Sequence, residues 1–144
     1  MGDGLPRIDL HASAVAFDTC AVVILGKSGQ GKSAMALQLM AFGAELVGDD
    51  RLFLVAESGH LMVSPADNLV GLIEARGVGV LQARARYPVQ VCLCLDLDHI
   101  ETERVPPFRQ KSWLDVNVPC LNKVDTPAFP AAVVQYIKTG RAEV

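Results

Sequence analysis

The chain has no surplus of basic residues. Thirteen Lys and Arg stand against 16 Asp and Glu, for a formal net charge of −3. Binding to a phosphate backbone ordinarily shows as a basic excess, so nucleic acid is not an expected partner. There is no apolar run near the length of a membrane span, and the first residues, Met1-Gly2-Asp3-Gly4, are neither basic nor apolar. These absences argue against a membrane span and a secretory leader and make the cytoplasm the expected compartment. Cysteine is sparse: Cys20, Cys92, Cys94 and Cys120 have no metal-ligand spacing. Cys92 and Cys94 are expected on one face of a strand, and all four as core thiols. No internal repeat, low-complexity tract or linker interrupts the chain. Its 144 residues, 51% hydrophobic, are expected to form one domain, residues 1–144, with a core of its own.

What is present is a phosphate-binding pattern. Gly26-Lys27-Ser28-Gly29-Gln30-Gly31-Lys32-Ser33 spells G-x-x-x-x-G-K-S, after the apolar run Ala21 to Leu25 and before Ala34 to Met40. Strand, glycine-rich turn and helix in that order place backbone N–H groups around phosphate oxygens at a helix N-terminus, where the dipole favours negative charge. Lys32 is expected to reach the β- and γ-phosphates, and the Ser33 hydroxyl to take a place on Mg²⁺. Average residue frequencies give this pattern by chance in about half a percent of chains of this length.

In chain order, Ile8 to Leu10 and Ala14 to Phe17 read as short strands with His11 between them. The helix after Ser33 carries Met35, Leu39 and Phe42 on one stripe and ends near Gly43. Glu45-Leu46-Val47, the acidic turn Gly48-Asp49-Asp50-Arg51, and the pair Leu52 to Ala56 and Leu61 to Val63 read as strand, turn and hairpin. Pro65-Ala66-Asp67-Asn68 breaks the pattern, and Leu69 to Leu81 is apolar but carries Glu74 and Arg76. Val89 to Leu95 reads as a strand in the sheet interior, ended by Asp96-Leu97-Asp98. His99 to Lys111 reads as an exposed, mobile loop, and Trp113 to Val118 as an edge strand. Thr126 as N-cap with Pro127 at the first helical position opens a terminal helix, Ala128 to Lys138, closed by Gly140.

A phosphate loop alone says nucleotide; the chemistry depends on which acid faces the γ-phosphate. Asp49-Asp50 is one candidate. Asp96 or Asp98, after four apolar strand residues, has the look of the acid that holds Mg²⁺ in many ATPases, and on spacing alone is the more ordinary choice.

Three motifs together, Gly26 to Ser33, Val47-Gly48-Asp49-Asp50-Arg51, and Ile73-Glu74-Ala75-Arg76-Gly77-Val78-Gly79-Val80, resemble the catalytic domain of the HPr kinase/phosphorylase family. The resemblance runs from about His11 to near Pro119. It implies an α/β phosphate-loop domain of the HPr kinase and phosphoenolpyruvate carboxykinase-like type, with a mixed sheet and few helices. This chain would be a short form without the amino-terminal regulatory domain. The activity implied is transfer of phosphate from ATP to a serine of the phosphocarrier protein HPr. Asp50 matches the general base and Lys32 the phosphate-loop lysine. Ser33 and Glu74 match the Mg²⁺ ligands, His11 an active-site histidine, and Arg104 an arginine that closes on the phosphates. The family assembles as a hexamer, so a homo-oligomer is implied.

The family's reverse reaction is associated with a Lys-Thr-Gly-Arg-Asn-like loop after an Asp-Val-x-Val-Pro strand. Here Asp115-Val116-Asn117-Val118-Pro119 is followed by no such loop, and Lys138-Thr139-Gly140-Arg141 comes some twenty residues late, reading as a helix end. The kinase direction is expected and the phosphorylase direction is unsupported. Two rival readings remain at this stage: a generic ATPase or small-molecule kinase built on Asp96 or Asp98, and a nucleotide-sensing module that transfers nothing.

Overall fold

The structure, a computed structural model, describes residues 5–66 and 70–142. Asp67, Asn68 and Leu69, named above in the break after Pro65 and in the apolar stretch beyond it, lie outside the described residues, as does the start Met1-Gly2-Asp3-Gly4. Among the described residues eleven strands and two helices follow in order: β1 Arg7–Leu10, β2 Ser13–Phe17, β3 Cys20–Leu25, α1 Lys32–Ala41, β4 Glu45–Gly48, β5 Leu52–Glu57, β6 His60–Pro65, β7 Leu72–Ala75, β8 Gly79–Gln82, β9 Val89–Ile100, β10 Arg109–Trp113, β11 Val116–Lys123 and α2 Phe129–Thr139. This is the expected mixed sheet with few helices.

Nine strands form one sheet, ordered β1-β5-β6-β9-β3-β2-β4, with β11 pairing β9 and β10 pairing β11. β9 is its centre. The start of β9 pairs antiparallel with β6, and β3 and β11 then run parallel to it on either side, both meeting Cys94, Leu95 and Asp96. Burial on both faces explains the near-continuous apolar sequence of β3, whose Ala21, Val22, Val23 and Ile24 are all fully buried. On one face Val22, Ile24, Leu93 and Leu95 meet Met35 and Leu39 of α1 and Phe129 and Val133 of α2. On the other, Val23, Cys94 and Val118 share a core with Leu52, Leu54, Leu61 and Val63 of the β5–β6 hairpin. Each such leucine taken from water contributes about 1.5–3 kcal/mol.

Several sequence expectations are corrected. Phe42 does not extend the buried stripe of α1: it is 52% exposed, because the helix ends at Ala41 and Phe42 caps it outside the helical register. β9 does not stop at Leu95 but continues through Asp96-Leu97-Asp98 to Ile100, since β11 supplies a hydrogen-bonding neighbour there. The loop expected over His99 to Lys111 therefore shrinks to residues 101–108. Its base is tied by Arg109, whose Nε and Nη2 each donate to Glu101 at 2.9 Å. Trp113 to Val118 is not one strand. Leu114 and Asp115, both at positive φ (52° and 61°), make a two-residue turn between β10 and β11. α2 starts at Phe129 rather than Ala128, with Ala128 as N-cap and Thr126 Oγ1 accepting only the Ala128 N–H at 3.4 Å. Gly140 does close that helix, its N–H donating to Tyr136 at 2.8 Å.

Two of the four cysteines are the core thiols expected and two are not. Cys94 and Cys120 are buried free thiols, opposite each other across β9 and β11. Cys20 and Cys92, with Cα atoms 5.4 Å apart, are joined as a disulfide. Nor do Cys92 and Cys94 share a face. Ala21 pairs with Val91 and Val22 with Leu93, so Cys92 is the extra residue of a bulge and packs on the helix side, away from Cys94.

Candidate active site

The site lies where β3 ends. The chain leaves the sheet at Leu25 and reaches α1 through Gly29 and Gly31, whose φ values of +89° and +95° place them in the left-handed region. Glycine enters that region without the steric cost a Cβ carries, which is why the turn is built from it. Gly31 is the N-cap of α1, and its carbonyl takes the Met35 N–H at 2.9 Å. Lys32 is largely buried beside the loop, its ammonium donating to the Gly26 carbonyl at 2.6 Å. Gly26, Lys27 and Gln30 build the loop without lining the cleft: Gln30 N–H donates to the Lys27 carbonyl at 3.0 Å.

A cleft of about 710 Å³ opens beside this turn, and Ser28, Gly29, Gly31, Lys32 and Ser33 form one wall. The opposite wall has two sources. β4 delivers Asp49 and Asp50 from its C-terminal end. The small β7–β8 sheet delivers Glu74 and Arg76. There Ile73 is buried in the helix-side core, so strand alternation turns Glu74 outward to the cleft.

The two neighbouring acids have different surroundings. Asp49 Oδ1 accepts the hydroxyls of Ser33 at 2.8 Å and Ser13 at 2.6 Å. Asp50, at φ +78°, stands 3.7 Å from His11 Nε2, and both of those side chains are about two-thirds exposed (65% and 67%). Lys32, Ser33, Asp50 and Glu74 are thus brought together and His11 touches their edge. Arg104 is not among the cleft residues; it sits in the exposed loop after β9.

Asp96 and Asp98 are elsewhere. Asp98 Oδ1 accepts the Lys27 N–H at 3.0 Å, supporting the phosphate loop from outside the cleft. Asp96 is buried and accepts His99 Nδ1 at 2.8 Å, the Asp98 N–H at 2.9 Å and Lys111 Nζ at 3.3 Å. Burial opposes its ionisation, but the His99 ring, the Asp98 N–H and Lys111 outweigh that and hold its carboxyl below the ordinary value. Together with Cys120 and Arg109 it lines a separate cavity of about 430 Å³. Facing each other across β9 and β11, the two thiols shift in opposite directions: the neighbouring Cys120 and burial push the Cys94 thiol up, while Cys94 and Lys111 push the Cys120 thiol down.

Ser13 and Arg76 also line the cleft and were not singled out from sequence as site residues. Ser13 does leave a signal, as the one hydroxyl in the otherwise apolar strand Ser13-Ala14-Val15-Ala16-Phe17.

The donor set suits Mg²⁺. Among the described residues no three His, Cys, Asp or Glu side chains converge to cage a metal. Magnesium held beside phosphates needs only one or two hard oxygen ligands from protein, and Ser33, Asp49 and Glu74 present hydroxyl and carboxylate oxygens on one cleft. No helix among the described residues is long and apolar enough to cross a membrane.

Strand, glycine turn and helix, with an acid-lined cleft at the sheet edge, define a phosphate-loop nucleotide-binding α/β domain. Within that class the chain belongs to the family described as HPr Serine kinase C-terminal domain, whose model matches residues 5–100. The HPr kinase/phosphorylase of Streptococcus thermophilus is 38% identical over 107 residues, covering 69% of this chain and 35% of that protein. That of Limosilactobacillus reuteri is 33% identical over 102 residues, covering 67% of this chain and 32% of that protein. The chain therefore spans about a third of the length of the curated relatives it matches. The fold is shared with the Hpr(Ser) kinase/phosphatase from Coxiella burnetii at TM-score 0.76 and 23% identity, over 91% of this chain and 94% of that one.

Proposed function

We propose that this chain is an ATP-dependent protein-serine kinase whose acceptor is an HPr-type phosphocarrier. The observation that carries the reading is the convergence of Lys32, Ser33, Asp50 and Glu74 on one cleft, drawn from a helix N-terminus, a strand end and a separate hairpin. Relatives matched over most of this chain bear the name HPr kinase/phosphorylase, which supports the acceptor.

In this reading the backbone of Ser28 to Gly31 and the Lys32 ammonium bind the β- and γ-phosphates of ATP. Asp50 takes the proton from the acceptor serine as its oxygen attacks the γ-phosphorus and the bond to the β-phosphate oxygen breaks, releasing ADP. His11, 3.7 Å from Asp50, orients that carboxylate. Ser33 and Glu74 hold Mg²⁺, with Asp49 beside them; when bound, the ion neutralises charge on the phosphates. Arg104 would act through movement of the 101–108 loop toward the cleft. Hexamer formation and a cytoplasmic setting belong to the same reading.

Incubating the protein with Mg²⁺-ATP and an HPr-type carrier, read by intact mass, tests it. One phosphate gained on a carrier serine, and lost with Asp50→Asn, is the expected result. A carrier left unmodified by a protein that still binds or hydrolyses ATP would sink the proposal.

A further inference from the structure

A single buried hydroxyl joins the two acids of the cleft. Ser13 is fully buried, the only uncharged polar side chain among the buried described residues. Its Oγ donates to Asp49 Oδ1 at 2.6 Å and lies 3.4 Å from the Asp50 N–H, which it accepts. One residue earlier, the Ala12 N–H donates to the Asp50 carbonyl at 3.1 Å. The entry to β2 thus grips Asp50 on both sides of its Cα and Asp49 by its carboxylate.

That grip answers a conformational demand. Asp50 has φ +78°, a region that side-chain-bearing residues enter only when their surroundings hold them there. Its side chain is largely exposed, so packing does not aim it, and its contact with His11 is a long 3.7 Å. The backbone bonds from Ala12 and to Ser13 are what set its direction. Asp49 in turn takes a second hydroxyl, that of Ser33, at 2.8 Å on the same oxygen.

The sheet explains why the hydroxyl sits there. Ser13 pairs with Ile24, one residue before β3 ends at the phosphate loop, while Ala14 pairs with Gly48, one residue before Asp49. The β2–β4 register slips between Ala14 and Val15, bringing the end of β4 over Ser13. β2 is therefore the strand between the phosphate loop and the acids.

We infer that Ser13 is a positioning residue that fixes the Asp49-Asp50 pair relative to the phosphate loop. The inference rests on the kinase reading for the role of Asp50, but its Asp49 half concerns metal-nucleotide binding alone. A hydroxyl is required because an alanine accepts no bond from the Asp50 N–H and donates none to Asp49; threonine does both.

The test compares wild type, Ser13→Ala and Ser13→Thr by calorimetric titration of ATP with Mg²⁺ and with chelator, and by phosphorylation of the HPr-type carrier. Ser13→Ala is expected to lose about tenfold in affinity for Mg²⁺-ATP, with little change in chelator, and at least as much in kcat, while Ser13→Thr recovers most of both. In an Asp50→Asn background Ser13→Ala should cost nothing further in kcat, because the group it positions is gone. Wild-type Mg²⁺-ATP affinity in Ser13→Ala overturns the inference, as does a Ser13→Thr variant no better than alanine, which would make the effect one of volume. The calorimetric arm needs no acceptor. A wild-type protein that leaves the carrier unmodified therefore sinks the kinase reading while Ser13 is still judged on binding.

Discussion

Ser33 donates its hydroxyl to Asp49 Oδ1 over 2.8 Å, tying the phosphate loop to the first acid of the Asp49-Asp50 turn. Two carboxylates facing a triphosphate repel it unless a cation intervenes. Asp49→Ala is therefore expected to weaken ATP binding in Mg²⁺ by about 10–100-fold, as outer groups of metal sites do, and to leave binding in chelator unchanged or improved. Isothermal titration under the two conditions reads the difference; equal losses in both would place Asp49 in a structural role.

Asp50 and Asp98 should separate sharply. Asp50→Asn is expected to lower kcat by about 10²–10⁴-fold, the range for removing a general base, with ATP affinity retained. Asp98→Asn keeps an oxygen that can accept the Lys27 N–H and lies outside the cleft, so its kcat should stay within about threefold of wild type. The opposite pattern in steady-state kinetics would restore the ATPase arrangement built on the later strand.

Gly48 ends β4 directly before the acids, and a Cβ there would stand 2.8 Å from Leu52 Cδ2 and 3.2 Å from Pro65 Cβ. The leucine tip can turn aside; the proline cannot. Gly48→Ala should cost about 1–3 kcal/mol by overpacking, seen as a lowered urea midpoint with an unchanged slope. A midpoint equal to wild type would mean that the β4–β5 turn yields freely.

Asp96 sets a pH dependence. Its carboxyl titrates below the ordinary 3.8 in the folded chain, so between the two values the unfolded state binds more protons. The stability it contributes is present above about pH 4 and is lost as pH falls through the lower folded value. Urea midpoints measured from pH 7 to pH 2.5 should therefore fall less steeply for Asp96→Asn than for wild type. Glu101, held low by the Arg109 guanidinium, titrates in the same direction and remains in both proteins. Parallel acid limbs would remove Asp96 as their source.

Arg104 lies outside the cleft, so Arg104→Ala should leave Mg²⁺-ATP affinity within about twofold of wild type and show any loss in kcat, as a residue acting through loop movement does. Fluorescence titration with a labelled nucleotide measures the first and carrier phosphorylation the second. A large loss of affinity would mean that Arg104 already faces the nucleotide.

Much of the fold was legible because its signals are local. β3, the glycine turn and α1 follow from an apolar run, glycines at fixed intervals and a 3.6-residue period. Where neighbours far along the chain decide, sequence reading went astray. β9 runs five residues beyond Leu95 because β11 pairs with it, and nothing in Asp96-Leu97-Asp98-His99-Ile100 announces that partner. The turn at Leu114-Asp115 lacks the glycine or asparagine that usually marks positive φ, so two strands read as one. The bulge at Cys92 put Cys92 and Cys94 on opposite faces through a single extra residue.

The candidate site divides in the same way. By itself the sequence determined the phosphate loop, because backbone geometry, helix dipole and lysine are all specified within eight consecutive residues. It also supplied two pairs of acids: spacing after an apolar strand favoured Asp96 or Asp98, while the family resemblance favoured Asp50. Only the tertiary structure decided which pair lines the cleft, since distance to the phosphate loop is a property of strand order and register. β2, lying between β3 and β4, carries Ser13 to Asp49 and Asp50 at the cleft, while the later strand turns Asp96 toward His99 and Lys111.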